Sequence, residues 1–333
     1  MNIETFKHIY FRLPTIVRLL LTILFVMVLF GVTIHIIEPD EFPSIFDGIW
    51  WAFVTGATVG YGDYVPLTPV GRIIGILLIL SGGGLLTFYI ATLSAATVDH
   101  ERDLSKGKVS FKGNNHIIIV GWNERTRQLV QMINSKDNTI EMVLIDRSLD
   151  HLPYKHFPVH FIHGDPSEDA TLVQANVEKA ASVMITSDIT KTERQADIAT
   201  ILAIIAIRGN NPVVPINAEI LSLTQADNAI RAGADTIISS NDFMSTLFYH
   251  ELFHNEDTKP FDSILHLLNN QQFVNLPVPE QLVNKSFKEA SIFFLNKREL
   301  LTGVIRDNEW IMNPVNDFQI KEKDTLITLT AWK

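Results

Sequence analysis

The sequence contains no cysteine, which excludes disulfide bonds, thiolate metal sites and cysteine nucleophiles. It also has no excess of basic residues: 27 lysines and arginines stand against 37 aspartates and glutamates, for a formal net charge of −10. A basic surface suited to nucleic acid is therefore not expected, and no nucleic-acid partner is predicted. The first apolar stretch ends at Glu38-Pro39 without a small-residue cleavage site, so we expect a retained helix rather than a signal peptide.

Hydrophobic residues make up 47% of the 333 residues, and most of the excess lies before residue 98. Two long apolar runs, at 19–37 and 70–98, are each long enough to cross the hydrocarbon core of a lipid bilayer. Between them, residues 42–58 are too few for a third span and predict a short helix that enters part way, followed by irregular backbone. Such backbone is tolerated at membrane depth only where it lines water or is buried in protein.

Charged residues indicate how the two spans are oriented. The cations that flank the spans are Lys7, Arg12 and Arg18 before the first, and Arg102, Lys106, Lys108 and Lys112 after the second. The loop between the spans carries the acids Glu38, Asp40, Glu41, Asp47 and Asp63. The positive-inside rule therefore predicts a multi-pass protein of the cell membrane with both termini in the cytoplasm. An acidic outer loop would also concentrate cations near its mouth.

A glycine-containing motif follows the short helix and reads Thr58-Val59-Gly60-Tyr61-Gly62-Asp63. Its two alternating glycines permit a backbone in which successive carbonyl groups point toward one axis. Four such loops can provide rings of oxygen atoms that replace the hydration shell of K⁺. The alternative interpretation is an ordinary glycine-containing turn in a loop, and it does not explain why the motif lies between two membrane spans.

Residues 50–63 resemble the pore helix and selectivity filter of potassium channels, nearly residue for residue. The resemblance implies a homotetrameric pore with K⁺ as the permeant ion, bound by Thr58, Val59, Gly60, Tyr61 and Gly62. It also implies that Trp50, Trp51 and Tyr61 pack as a cuff around the filter. No span carries arginines at every third position, so a voltage-sensing helix is missing and the gating signal must come from elsewhere.

The second apolar run contains Gly82, Gly83 and Gly84 in succession. Each glycine in a helix costs about 1 kcal/mol relative to alanine, so three together mark a point at which the helix can bend. The resemblance to potassium channels implies a gating hinge here. Close helix packing through small residues is an alternative, and the two interpretations are compatible.

The chain after residue 115 alternates buried strands with helical stretches. Strands are predicted at 116–120, 142–145, 159–162, 182–185, 213–216 and 236–238, with helices that include 124–133 and 193–208. This pattern predicts an α/β Rossmann-like domain with a parallel, doubly wound sheet. Short strands at 273–276, 301–306, 309–312 and 326–329 predict a small α+β lobe at the end of the chain, so the fold class is an α-helical membrane pore followed by these two units.

The turn after the first strand keeps one glycine of the dinucleotide-binding fingerprint. Gly121 is present, but Asn123 and Thr126 replace the other two glycines, whereas Asp146 ends the second strand where an acid can bond a ribose. The candidate nucleotide-binding residues are Gly121, Asn123, Arg125, Asp146 and Asp165. They predict regulation by an adenine nucleotide or NAD(H), with the missing glycines arguing against a whole dinucleotide. An empty Rossmann-like crevice is the alternative.

Residues 161–166, 172–177 and 231–235, together with Gly121-Trp122, resemble the RCK domain (regulator of potassium conductance). The resemblance implies RCK–RCK dimerisation within a gating ring of eight domains whose movement pulls the inner helices open. It divides the chain into a transmembrane pore domain at 1–98, a linker at 99–114, an RCK N-lobe at 115–241, a crossover helix at 242–257 and an RCK C-lobe at 258–333. The whole resembles prokaryotic two-span channels, among them a calcium-gated archaeal channel.

Calcium and cyclic dinucleotides are known ligands of this family. The positions that correspond to the family's calcium-binding acids are Thr186, Asn217 and Glu219, so Glu219 alone is a candidate metal ligand. No residue specifies a cyclic dinucleotide. Two other functions are alternatives: a membrane-tethered nucleotide-binding oxidoreductase, and a regulatory subunit of a potassium transporter. The filter motif has no role in the oxidoreductase, and a regulatory subunit predicts a soluble chain, whereas this sequence contains two spans. We therefore predict a ligand-gated potassium channel that is not an enzyme.

Overall fold

The computed structural model describes residues 13–152, 157–253 and 259–332. Lys7 and Arg12, which enter the orientation argument, and residues 254–257 of the predicted crossover helix lie outside the described residues. The chain divides into two compact units, Met1–Ile238 and Ser239–Lys333. The first unit contains the membrane helices and the Rossmann-like sheet, and the second contains the predicted C-lobe.

Two helices among the described residues are long and apolar enough to cross a membrane, as the sequence predicts. The outer helix α1 is Thr15–Ile37, and the inner helix is Pro69–Ser105. The inner helix consists of α3 (Pro69–Leu78), a π-helical turn (Ile79–Gly83) and α4 (Gly84–Ser105). Between the two spans lies the predicted short helix, α2 (Ile45–Gly56).

The outer helix and α2 pack backbone to backbone. A Cβ atom on Gly31 would lie 2.5 Å from the Ile49 Cα, and one on Gly48 would collide with the Gly31 carbonyl oxygen. Both positions therefore require glycine, and the close approach helps to bury Ile34 and Trp51 in the pore core. Much of the remaining apolar surface of the spanning helices is exposed in the single chain, as expected of surfaces that face lipid or other copies.

The three glycines of the inner helix differ in their surroundings. A Cβ on Gly82 would lie 3.0 Å from the Met27 Cε, so Gly82 serves the packing of the inner helix against the outer helix. A Cβ on Gly84 would meet nothing within 4 Å, so packing within the chain does not require glycine there. The π-helical turn ends at Gly83, and such turns are frequent at functional sites. Packing at Gly82 is compatible with a hinge, and the hinge at Gly82, Gly83 and Gly84 therefore stays a prediction.

The Rossmann-like domain is built on a six-stranded sheet with the order β3-β2-β1-β4-β5-β6. The strands are β1 (Ile117–Val120), β2 (Met142–Asp146), β3 (His160–His163), β4 (Ser182–Ile185), β5 (Ile216–Ile220) and β6 (Thr236–Ser239). The intervening helices are α5 (Glu124–Lys136), α6 (Asp169–Gln174), α7 (Glu193–Asn210) and α8 (Leu223–Ala232). Parallel pairing joins β1 to both β2 and β4, which confirms the predicted doubly wound fold.

Alternate residues of the central strands enter two different hydrophobic cores, one on each face of the sheet. Ile118 of β1 and Val143 of β2 pack on one face, whereas Ile119 and Leu144 pack on the other. Because both faces are covered, these strands read as continuous apolar runs in the sequence. The strand order reverses between β1 and β4, and a ligand crevice is expected at the carboxyl ends of these two strands.

The fifth strand begins later than the sequence predicts. A strand was predicted at 213–216, but β5 is Ile216–Ile220. Pro212 and Pro215 lack backbone N–H groups, and the Asn211 side chain accepts hydrogen bonds from the N–H groups of Val213 and Val214 instead. The predicted position was therefore wrong because local side-chain bonding and proline chemistry replaced strand pairing there.

The second unit begins with helices α9 (Ser240–Phe253) and α10 (Pro260–Asn270) and contains a four-stranded antiparallel sheet. The sheet order is β7-β10-β8-β9, with β7 at Gln271–Pro277, β8 at Leu300–Arg306, β9 at Glu309–Met312 and β10 at Thr325–Ala331. Helix α11 (Phe287–Leu295) packs on this sheet. The arrangement confirms the predicted α+β lobe. Helix α9 exposes Phe248, Tyr249 and Phe253, and its crossing to a partner domain stays a prediction.

Candidate pore filter and ligand cavity

Helix α2 holds the beginning of the predicted filter. It starts with a capping box in which Ser44 and Asp47 each accept a hydrogen bond from the other's backbone N–H. At its other end, the Val54 carbonyl oxygen accepts hydrogen bonds from the N–H groups of Val59, at 3.0 Å, and Gly60, at 3.2 Å. The negative end of the α2 dipole therefore lies beside the filter, where it favours a cation.

The filter backbone alternates in handedness along its length. Thr58 and Gly60 both have φ +60°, and Gly62 has φ +76°, whereas Val59 and Tyr61 between them are not in the left-handed region. Alternation between left- and right-handed residues turns successive peptide groups to the same side of the chain. A Cβ on Gly60 or Gly62 would meet nothing within 4 Å, so the backbone angle, and not packing within the chain, requires glycine.

Thr58 carries a feature that sequence reasoning missed. A residue with a branched Cβ rarely adopts positive φ, and no pattern in the sequence signals it here. The hydrogen bond from the Thr58 N–H to the Thr55 carbonyl oxygen, at 3.0 Å, fixes the residue directly after α2. The strained position thus belongs to the same carbonyl-presenting segment as the two glycines.

Aromatic side chains support the filter from α2. The Trp50 Nε1–H donates to the Asp63 carboxylate at 2.7 Å, and the Trp50 and Tyr61 rings stack with their centroids 6.1 Å apart. Trp51 lies on a different face of α2, where it is buried against the edge of Phe42. Two of the three predicted cuff residues therefore meet within one chain, and the complete cuff stays a prediction.

The acids of the outer loop are less available to passing ions than the sequence suggests. Glu38 is buried, and its carboxylate accepts hydrogen bonds from the N–H groups of Leu67, at 2.9 Å, and Thr68, at 3.0 Å, as well as from the Thr68 hydroxyl. Glu38 thus caps the start of the inner helix from the end of the outer helix. Asp47 accepts from the Tyr64 hydroxyl at 3.0 Å, so this acid also has a structural role.

A cavity of about 220 Å³ lies at the carboxyl ends of β1 to β4, at the predicted switch point. Four of the five predicted nucleotide-binding residues line it: Gly121, Asn123, Asp146 and Asp165. Five further polar or charged residues line the cavity without belonging to any sequence motif: Arg147, Ser148, Ser167, Asp188 and Lys191. Each of them follows a strand end, which is the signal that could have identified them.

Asp146 supports the surrounding loops as well as lining the cavity. Its Oδ2 accepts a hydrogen bond from the Trp122 N–H at 2.8 Å, and its Oδ1 accepts from the N–H groups of Ser148, at 2.7 Å, and Leu149, at 2.8 Å. Oδ1 is therefore fully occupied by the protein, whereas Oδ2 holds one hydrogen bond. A ribose hydroxyl has room for one further bond at Oδ2, because a carboxylate oxygen accepts two.

Arg125 and Glu219 pair with each other instead of facing the cavity. The Arg125 guanidinium lies 3.1 Å from the Glu219 carboxylate, which is buried and also accepts from the Ser187 N–H at 2.8 Å. Of the other two positions in the predicted calcium triad, Thr186 donates its hydroxyl hydrogen to the Val120 carbonyl oxygen at 2.9 Å. Within residues 13–152, 157–253 and 259–332, no group of three or more histidine, aspartate or glutamate side chains is placed to hold a metal ion.

Two aspartates of the cavity rim are paired with cations. Asp165 lies 2.8 Å from Arg147, and Asp188 lies 3.2 Å from Lys191. Burial acts to raise the pKa of Asp165, but hydrogen bonds from Ser167 and the Arg147 charge outweigh it and hold that pKa below its usual range. The cavity lining therefore carries three carboxylates and two cationic side chains near neutral pH.

The segment 106–115, which joins the inner helix to β1, is docked on the Rossmann-like domain. The Gly107 carbonyl oxygen accepts from the His163 N–H at 3.0 Å, and the Phe111 N–H donates to the Gln174 carbonyl oxygen at 2.8 Å. The Phe111 ring contacts His116 and His160, with centroid distances of 4.5 and 5.3 Å. The docking segment therefore binds β3 and α6, the two elements that flank the cavity-lining residues 165–167.

Two membrane-length helices around a filter of alternating handedness, followed by a Rossmann-like sheet with a switch-point cavity, define a channel with a regulatory domain. Residues 19–99 match the ion channel family, and residues 117–240 match the TrkA-N domain. The putative potassium channel protein YugO of Bacillus subtilis is 39% identical over 321 residues, covering 96% of this chain and 97% of the relative. The chain therefore belongs to the family of potassium channels that carry an RCK (TrkA-N) domain.

For two further relatives, a smaller share of the relative's own length aligns with this chain. The calcium-gated potassium channel TvoK of Thermoplasma volcanium is 33% identical over 63% of this chain and 61% of the relative. The structure of the GsuK channel bound to NAD aligns with 96% of this chain and 58% of that chain, with a TM-score of 0.55 and 17% sequence identity. At that identity the GsuK likeness concerns the fold, and it confirms the order of membrane pore, Rossmann-like domain and C-terminal lobe.

Proposed function

We propose that the chain forms a homotetrameric, potassium-selective channel whose opening is controlled by a ligand of the RCK domain. The observation that carries the proposal is the alternating filter backbone of Thr58, Gly60 and Gly62 between two membrane-length helices. Rings of carbonyl oxygens contributed by four copies would replace the hydration shell of K⁺. Both termini and the RCK domain lie in the cytoplasm in this proposal, since the cations flanking the spans favour that orientation.

Rubidium uptake into liposomes that contain the purified protein tests the conduction proposal. We expect barium-sensitive uptake that potassium competes for and sodium does not. Uptake that is absent under every ligand condition, or equally inhibited by sodium, would contradict it. The filter and the similarity to YugO favour this function over an oxidoreductase or a transporter subunit.

The proposed ligand is an adenine nucleotide bound in the switch-point cavity. Support comes from the position of the cavity, from the lining hydroxyl, carboxylate and cationic side chains, and from a NAD-bound structure of a channel with the same fold. The calcium-gated relative TvoK makes Ca²⁺ the second candidate, and the Arg125–Glu219 ion pair argues against it at Glu219. Thermal unfolding of the full-length channel with each ligand tests the choice, because a ligand of the folded state raises the melting temperature.

A movement at the cavity has a direct path to the pore. Residues 165–167 line the cavity and lie between β3 and α6, and both elements bind the docking segment that continues the inner helix. The gating ring of paired RCK domains would then pull on the inner helices through this segment. In this proposal the docking segment transmits the movement, because hydrogen bonds and ring contacts fix it to the domain.

The Phe111→Ala variant is expected to uncouple ligand binding from flux. Removing the ring deletes its contacts with His116 and His160, so the docking segment loses part of its attachment. We expect ligand affinity to change less than threefold, while the ratio of flux with and without ligand falls at least fivefold. Calorimetry and rubidium uptake measure the two quantities. The control is Met132→Ala, at an exposed position on α5, which should change neither quantity; an unchanged flux ratio in Phe111→Ala would refute the transmission path.

A further inference from the structure

We infer that the switch-point cavity takes a nucleoside monophosphate and disfavours dinucleotides, because the turn after β1 is closed by its own side chains. The inference rests on the proposed nucleotide regulation and names the class of nucleotide. It concerns residues 121–126, where a dinucleotide site presents free backbone N–H groups to a pyrophosphate.

Four of the six backbone donors at residues 121–126 already have acceptors within the protein. The Gly121 N–H donates to the Ile145 carbonyl oxygen at 2.9 Å, and the Trp122 N–H donates to the Asp146 carboxylate at 2.8 Å. The Asn123 N–H donates to the Thr126 hydroxyl at 2.8 Å, and the Thr126 N–H donates to the Asn123 side-chain oxygen at 3.1 Å. A pyrophosphate would have to break these bonds before it could use the same donors.

A side-chain bridge also crosses the switch point itself. The Asn123 Nδ2–H donates to the Thr186 hydroxyl at 3.2 Å and so joins the loop after β1 to the loop after β4. Thr186 approaches closely enough that a Cβ on Gly121 would lie 2.8 Å from its Oγ1. Thr126, at the position of the third fingerprint glycine, is fully buried. The place where a pyrophosphate would lie is therefore filled by the Asn123–Thr186 bridge.

The charge of the lining favours the same class of ligand. Among the residues that the structure describes, the lining carries Asp146, Asp165 and Asp188 against Arg147 and Lys191, so a second phosphate would add repulsion that no further cation of the described lining offsets. A single phosphate can pair with Arg147 or Lys191 at the rim.

Calorimetric titration of the purified full-length channel with AMP, ADP, ATP and NAD⁺ tests the inference. We expect the Kd of AMP to be at least tenfold lower than that of NAD⁺. In the Asn123→Gly variant, which removes the bridge and restores a fingerprint glycine, the ratio of the two Kd values should shift at least tenfold toward NAD⁺. The matched control is Asn138→Gly, at an exposed turn after α5, which should leave the ratio unchanged.

Thr186→Val provides a second variant if Asn123→Gly does not fold, since it removes the acceptor of the same bridge. A wild-type channel that binds NAD⁺ as tightly as AMP would overturn the inference while leaving nucleotide regulation standing. A ratio that stays constant in the folded variants would overturn the role of the bridge. Failure of all four nucleotides to bind would overturn both the inference and the proposed regulation.

Discussion

Gly62→Ala is expected to reduce selective rubidium uptake to background while the Rossmann-like domain remains folded. Gly62 has φ +76°, a region that costs a residue with a Cβ about 1–2 kcal/mol. The new methyl group itself would have open space within the chain, so the effect arises from the backbone angle. In the proposed tetramer, a shift of the backbone toward negative φ would turn the same carbonyl of every copy away from the axis and so break one ring of oxygen ligands.

Gly209→Ala is the matched control for this prediction. Gly209 lies in α7, where an added Cβ would also meet nothing within 4 Å, but its φ is not in the left-handed region. Alanine is favoured over glycine within a helix by about 0.5–1 kcal/mol, so this variant should conduct normally and be slightly more stable. Rubidium uptake and circular dichroism measure conduction and folding. Normal selectivity in Gly62→Ala would refute the filter assignment.

Glu38→Ala is expected to destabilise the pore more than any substitution of an exposed acid in the same loop. The buried carboxylate accepts hydrogen bonds from the backbone of Leu67 and from the backbone and hydroxyl of Thr68. Alanine leaves the three donors of Leu67 and Thr68 without this partner, at up to about 1–3 kcal/mol for each donor that water does not reach. It also removes a negative charge from the start of the inner helix, where the helix dipole favours one.

The melting temperature of the detergent-solubilised channel measures this effect. We expect a fall of roughly 5 °C or more in Glu38→Ala, since about 1 kcal/mol shifts the midpoint of a domain of this size by roughly 2–4 °C. Glu41→Ala is the control, because Glu41 is an exposed acid in the same loop. Equal melting temperatures for the two variants would show that Glu38 does not hold the inner helix to the outer one.

Most helices and strands could be predicted from the sequence, because apolar runs and helical spacing are contained within each element. The apolar runs predicted both spans, β4 was predicted with its exact bounds, and helical spacing predicted the start of α5 at Glu124. The strand at β5 was misplaced, since Asn211 and two prolines reorganise the chain before it. The strand propensity of residues 213–216 does not reveal that the Asn211 side chain binds the backbone N–H groups that a strand would use for pairing.

Candidate residues were predicted better than their roles. Asp146 and Asp165 do line the cavity, but Asp146 supports its own loops and Asp165 pairs with Arg147. Arg125 was expected at the nucleotide and instead lies against Glu219 of β5. The partners in the Arg147–Asp165 and Arg125–Glu219 pairs are distant in sequence, and no pattern of spacing indicates which charged residues meet at a sheet edge.

The sequence by itself determined that this is a potassium-channel subunit, since the filter motif lies between two spans and both signals are contiguous in the chain. It also determined the α/β class of the regulatory domain, through strands buried on both faces. Only the tertiary structure decided that Glu38 caps a helix 30 residues away and that Asn123 closes the switch point through Thr186, 63 residues away. Those bonds form because the tertiary fold brings the end of the outer helix to the start of the inner helix, and the loop after β1 to the loop after β4. Neither approach is visible in the order of the residues along the chain.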